Sequence, residues 1–207
     1  MRLADTGFLI FLFVSLAAGQ TFYGTTDIKV FREGRDAEFR KRSESPLLDS
    51  DFEKFAGLNY FATNKQYRVS ATVKRNAEAK YFLMPTSSGK PKKFRKFGVL
   101  AFRLAGRNLK LSVYQADADV LKKYPEYADL LFIPFRDNTN GSKTYGGGRY
   151  IDIKRPKGGR VILDFNLSYN PNCAYGSDKY SCPIPPRENE LAVAVRAGER
   201  KFEYSAH

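Results

Sequence analysis

The chain has no tryptophan, one histidine and two cysteines in 207 residues, and each scarcity closes off some chemistry. The histidine, His207, is the last residue, so a Ser-His-Asp or Cys-His constellation would have to recruit a fraying terminus as its base. With one histidine and two cysteines the ligands for a tetrahedral zinc site are short as well. There is no C-x-x-C pair and no histidine near either cysteine to lower a thiol pKa, which argues against redox catalysis. Long apolar runs are also lacking. The one such run, Phe8 to Ala18, is too short to span a bilayer comfortably, and no second run of about eighteen apolar residues follows.

That run does fit another role. Arg2 precedes it and the small residues Ala17, Ala18 and Gly19 follow it, the layout of a signal peptide over residues 1–19 cut near Gly19 and Gln20. The expectation is an exported protein, periplasmic or secreted, without a membrane span after cleavage. No cysteine sits at the cut to carry a lipid anchor. Export makes the remaining thiols legible, because they oxidise outside the cytosol. Cys173 and Cys182 are therefore expected to form a disulfide, worth about 2.5 to 3 kcal/mol by loop entropy.

The formal net charge is +13. Losing Arg2 and Asp5 with the leader leaves it unchanged, and such a balance favours anionic partners or surfaces without saying anything about fold. The densest basic cluster is Lys90, Lys92, Lys93, Arg95 and Lys96, interleaved with Phe94 and Phe97. It suits phosphates or an anionic envelope polymer, or else lysines that keep a strand edge from pairing.

Read in order, the mature chain opens with helical spacing from Thr25 to Arg42. Thr26 or Asp27 caps it, and Ile28, Phe31 and Phe39 lie among its apolar positions. A short helix from Asp49 or Ser50 through Phe52 and Phe55 ends at Gly57. From Gln66 the period becomes two, predicting a half-buried strand with Tyr67, Val69, Ala71 and Val73 on one face. Further strands are predicted at Tyr81 to Met84, Phe97 to Leu104 and Leu109 to Val113, the last two joined as a hairpin across Ala105 to Asn108. Asp117 to Tyr124 reads as a helical turn halted at Pro125, and Leu130 to Phe135 as a buried strand. Arg149 to Lys154 and Val161 to Tyr169 are predicted to pair with each other as a hairpin. With Gly158, Gly159 and Arg160 as its loop, Lys154 stands opposite Asp164 and Asp152 opposite Asn166. A weak last strand, Leu191 to Val195, precedes a disordered or lightly docked tail. The fold class is mainly β, an antiparallel sandwich or barrel-like sheet with an N-terminal amphipathic helix and a short second helix. Residues 20–60 form a helical segment packed on a β-rich domain over 61–207.

The chemistry-bearing residues concentrate between Phe135 and Pro186. Asp137, Asn138, Thr139, Asn140 and Gly141 hint at a calcium loop, but the glycine falls one position early and no acidic residue closes it, so the run is a turn. Gly146, Gly147 and Gly148 lead into a strand where a phosphate cradle leads into a helix, which favours a tight or bulged loop. Arg149 either pairs with a local aspartate or clamps a carboxylate or phosphate. Asp152 and Asp164, on one face of the expected hairpin, form either a polar ladder or the carboxylate pair of a glycoside hydrolase. Asn166, Tyr169, Asn170, Glu188 and Asn189 are fit for a small polar ligand or for satisfying loop amides.

The runs FRDNTNGSKTYGGGRYIDI, VILDFNLSYNPNCAY, YSCPIPPREN and VRAGE resemble the prokaryotic family catalogued as domain of unknown function number 1684. The likeness extends from about Phe61 to Phe202. Its motif falls on Asp137, Thr139, Asn140, Gly141, Thr144, Tyr145, Gly146, Arg149, Asp164, Asn166, Tyr169, Asn170, Pro171, Cys173, Cys182, Pro183, Glu188 and Asn189. Arg187 and Ala192 stand where proline is common in that family. The resemblance implies a protein of uncharacterised function in a family many of whose members look exported, and no cofactor is expected.

Taken together, these readings predict a monomeric, non-enzymatic envelope module. It would bind a small polar or anionic ligand, or a glycan, over Asp137, Asn140, Thr144, Tyr145, Arg149, Asp164, Asn166, Tyr169, Asn170, Glu188 and Asn189, with no metal and no specific nucleic acid. The alternatives are a carbohydrate hydrolase using Asp152 and Asp164, and an interaction protein using the basic cluster.

Overall fold

The computed structural model describes residues 22–203; the expected leader and His207 lie outside the described residues. A 13-residue strand, β3 (Lys92–Leu104), is the spine of the molecule. It turns back at once into β4 (Arg107–Ala116), through a two-residue turn in which Ala105 and Gly106 both have positive φ. That is the primed geometry that matches strand twist. The other edge of β3 carries two strands in tandem: β2 (Tyr81–Met84) beside its first half and β1 (Arg68–Arg75) beside its second. The shift of register between Lys96 and Gly98 falls between them.

On the far side of β4 come β5 (Leu130–Asp137) and β6 (Arg149–Lys154), while β7 (Arg160–Asp164) lies beyond β1. The resulting order, β6-β5-β4-β3-β1-β7, is antiparallel and curls into a half-barrel. Mainly β architecture with one longer helix near the N-terminus is as the alternation predicts.

The predicted hairpin between β6 and β7 does not form. Leu130 stands opposite Lys154 and Ile133 opposite Ile151 in the β5–β6 ladder, whereas Leu163 and Val161 face Val69 and Ala71 of β1. Parity holds, since Ile151, Ile153, Leu163 and Phe165 share one core. But β5 and β1 offer the same alternation, so parity alone cannot choose the partner. One contact of the expected kind survives. Tyr150 and Tyr169 exchange both backbone hydrogen bonds (2.8 and 2.9 Å), joining β6 to the segment after β7 and drawing the curl together.

Both faces of the sheet are covered along β5 and β6, whereas the second face of β1 stays exposed. The inner face packs Leu100, Leu111, Leu131, Ile133, Phe135, Ile151, Leu163 and Phe165 around Leu191, Val193, Val195 and Ala197 of the C-terminal segment. The expected last strand shrinks to β8 (Glu190–Leu191), parallel to Arg136 and Asp137. Beyond it side chains replace the missing ladder, with Val195 N–H donating to Asp137 and the Val195 and Ala197 carbonyls accepting from Arg149. Residues 198–201 are docked by backbone hydrogen bonds. Phe61 N–H donates to Gly198 O (2.9 Å) and Arg200 N–H to Asn59 O (2.8 Å).

The second face is roofed by α1 (Ile28–Arg40), capped by Asp27, whose carboxylate accepts from Lys29 and Val30 N–H. Its buried stripe is Phe31, Arg35 and Phe39, spaced by four. Gly34 is the price of close packing in this helix: a Cβ there would sit 2.4 Å from the Phe22 ring. The second helix, α2 (Asp49–Phe52), is a single turn, and α3 (Ala118–Lys123) follows β4.

Candidate functional site

Between the second face of the sheet, α3 and the stretch from Pro171 to Pro183 lies a cavity of about 980 Å³. Its base follows from strand pairing. Phe132 stands opposite Tyr114 on one side and Asp152 on the other, so alternate residues of β4, β5 and β6 put aromatic rings and one carboxylate in a row away from the main core. The rings form a chain: Phe94 stacks on Phe132 (5.6 Å), Phe132 meets Tyr150 edge-on (4.7 Å), and Tyr150 meets Tyr169 (5.8 Å), which touches Tyr23 (5.3 Å). All five line the cavity.

Three of these tyrosines are fixed by their hydroxyls. Tyr150 donates to Pro183 O, Tyr169 to Asp152 Oδ2 and Tyr23 to Glu38 Oε2 (3.0 Å). Burial pushes all three phenols well above the usual tyrosine range. Burial likewise raises the Asp152 carboxyl to about 6, against the opposing pull of the Tyr169 hydrogen bond and of Arg35.

Behind the rings sits Arg35. It donates to Tyr23 Oη (3.0 Å), reaches Glu38 at 3.6 Å and Glu199 at 3.7 Å, and lies over the Tyr169 ring at 5.0 Å. Burial raises the pKa of both glutamates, with Arg35 pulling the other way. Tyr175 donates to Glu199 as well. At the rim, Lys93 pairs with Asp117 (3.2 Å), and burial lowers the pKa of Lys92. The wall containing Tyr180, Ser181 and Cys182 is closed by the Cys173–Cys182 disulfide.

The residues singled out in the sequence mostly go elsewhere. Asp137 and Arg149 form a fully buried ion pair at 2.8 Å, the internal pairing anticipated for this arginine. The Arg149 guanidinium also donates to Val195 O (2.8 Å), Ala197 O and Glu199 O (3.2 Å). Asp137 takes Thr139 N–H and O–H, and Asn140 bonds Asp137 N–H, Thr144 Oγ1 and Tyr145 O, so the supposed calcium run is a self-satisfied turn. Tyr145 packs on the Phe39 and Tyr175 cluster. Gly148 has φ +96 and its Cβ would meet Phe135 O at 2.6 Å, which fits a tight loop.

Asn166 clasps Asn64 through both backbone groups and bonds Asp164, which also takes Arg68 (3.3 Å). Asp152 and Asp164 therefore belong to separate networks, Asp152 facing Phe132 and Asp164 facing Arg68. Asn170 binds Glu199 and Arg200 O. Glu188 accepts from Tyr114 and Lys96; burial alone would raise its pKa, but these hydrogen bonds bring it below the usual value. Asn189 acts as a surrogate peptide between β4 and β5, bonding Ser112 N, Ser112 O and Pro134 O.

Of the residues singled out in the sequence, Asp152 and Tyr169 line the cavity, together with Pro171, Cys182 and Pro183 and with Lys92, Lys93 and Phe94 of the basic cluster. Sequence reasoning missed Tyr23, Arg35, Glu38, Phe94, Phe132 and Tyr150 as partners. One signal was available: an arginine at the centre of the Phe31, Phe39 stripe is a charge that must be answered from the sheet below. Among the described residues, no group of three His, Cys, Asp or Glu side chains could hold a metal ion.

A family model described as "Protein of unknown function (DUF1684)" matches residues 53–200. The solution NMR structure of an uncharacterized protein from Haloarcula marismortui is similar, with 35% identity and a TM-score of 0.66. The likeness covers 84% of this chain and 91% of that one. No curated protein matches the chain.

Proposed function

Since the chain belongs to the DUF1684 family of proteins of unknown function, its role has to be read from its own geometry, and we propose that it is an exported, non-enzymatic module that takes a small ligand into the cavity beneath α1. The observation that carries this reading is the row Phe132, Asp152, Tyr150 and Tyr169 at the base of a 980 Å³ cavity. A carboxyl group is kept in an aromatic setting that raises its pKa at a cost in stability, with the Tyr169 hydroxyl as its one hydrogen-bond partner among the described residues. Cavities of this size, mostly apolar with a few fixed polar groups, are what small ligands occupy. Separation of Asp152 from Asp164 removes the carboxylate pair on which a hydrolase reading rested. Export accords with the leader-like first residues and with the Cys173–Cys182 disulfide.

The lack of tryptophan supplies the test. Val120 lines the cavity and is exposed, so Val120→Trp places a lone indole at the mouth. Saturable fluorescence change with members of a set of small amines, sugars and organic anions is expected, and it should vanish when Ala116→Trp fills the cavity in the tryptophan-free chain, read there by thermal shift. No saturable response from any of them would sink the proposal.

A further inference from the structure

We propose that the ligand is an organic cation, a substituted ammonium seated against Asp152 and the rings of Tyr169, Tyr150 and Phe132; this rests on the cavity being a binding site. Charge at the base is unbalanced. Arg35 is the one guanidinium there, and Glu38 and Glu199 stand 3.6 and 3.7 Å from it, with Asp152 near enough to feel its field. Three carboxylates thus stand around one guanidinium at the base, and in the lining as a whole Glu38, Glu44, Asp117 and Asp152 face Lys92, Lys93 and Lys179, of which Lys93 is already paired with Asp117. An entering cation would restore the balance, whereas an anion would add to the excess.

The walls favour the same charge. Tyr169 and Tyr150 meet at 88°, and Phe132 stands directly across the strand pair from Asp152. Ring faces carry negative electrostatic potential, and two or three of them around an ammonium form an aromatic cage. The tyrosine hydroxyls are already committed to Asp152 and Pro183 O. An occupant therefore meets ring surfaces held in place beforehand, so little is lost in ordering them. Asp152 gives one oxygen to Tyr169, and among the described residues it makes no ion pair with a lysine or arginine of the chain.

The test compares choline with neohexyl alcohol, its uncharged carbon isostere, by NMR titration of the full mature chain. Choline should bind about tenfold more tightly. In Asp152→Asn that advantage should disappear while the affinity for neohexyl alcohol stays the same. This variant keeps the shape and relieves a desolvated charge, so it is expected to fold; Tyr169→Phe, which frees the Asp152 oxygen, serves as a second probe and should retain the preference for choline. Equal binding of the two probes would overturn the cation assignment and leave the cavity a binding site. If neither binds, the cation assignment also fails, and the indole screen above decides separately whether the cavity binds anything. A matching shift with phosphatidylcholine vesicles would place the ammonium on a lipid headgroup, and a shift with free choline alone would place it on a soluble molecule.

Discussion

Two buried arginines, Arg149 and Arg35, sit on opposite faces of the same sheet, and they are satisfied in opposite ways. Arg149 is tightly held through both terminal nitrogens, by a carboxylate at 2.8 Å and three backbone carbonyls, with its Nε left unpartnered, and Asp137 is in turn held by Thr139 and Val195 N–H. Arg35 is held more loosely, by Tyr23 Oη at 3.0 Å, Asn170 O at 3.4 Å, Tyr175 Oη at 3.5 Å and carboxylates at 3.6 and 3.7 Å, and it stands behind a cavity whose acids have raised pKa values. The first arrangement leaves nothing to offer a ligand. In the second, charge is held in reserve, which points to function.

The sharpest way to break this contrast is Arg149→Met. It leaves Asp137 buried without a counter-charge, and a loss of about 3 to 5 kcal/mol is expected in urea unfolding. Arg35→Met should lose less, because Glu38 and Glu199 can take up protons in its absence; a larger loss at Arg35 would reverse the assignment of roles. Next in size is reduction of Cys173–Cys182, expected to cost about 2.5 to 3 kcal/mol. Because this bond fixes one wall of the cavity, reduction should also weaken whatever the cavity binds.

Asp152→Asn works in the other direction. The native carboxyl titrates at about 6 against an ordinary 3.8, so the folded state holds its proton more tightly than the unfolded chain. Its stabilising share is complete below about pH 4 and lost as pH rises through 6. At pH 7 the variant should gain on the order of 2 kcal/mol, with the gain fading by pH 4. Thermal melts across that range check both sign and window. The smallest effect is expected from Lys96→Ala at the partly exposed Lys96–Glu188 pair, about 0.5 kcal/mol or less in the same assay.

Much of the scaffold was legible in the sequence. Period-two alternation found β1, apolar patterning found β2, the second half of β3, β4 and β5, the hairpin expected across Ala105 to Asn108 closes in the shorter Ala105–Gly106 turn, and Thr26 or Asp27 announced the cap of α1. Strand pairing was less accessible. Asp152 was placed on the right strand and the right face, yet Phe132 and not Asn166 stands across from it, because alternation records which face a residue takes and not which strand lies beside it. The motif residues misled for a related reason. Asn140, Asn166, Asn170 and Asn189 have the chemistry of ligand-binding groups, but here they satisfy backbone in loops without ladders. The cavity is drawn from five distant segments whose aromatic residues look, one at a time, like ordinary core.

The C-terminal segment has a consequence in time as well as in space. Until residues 195–199 arrive, Arg149 lacks three of its acceptors and Arg35 lacks Glu199. The docking of this one short segment therefore satisfies a buried arginine on each face of the sheet at once.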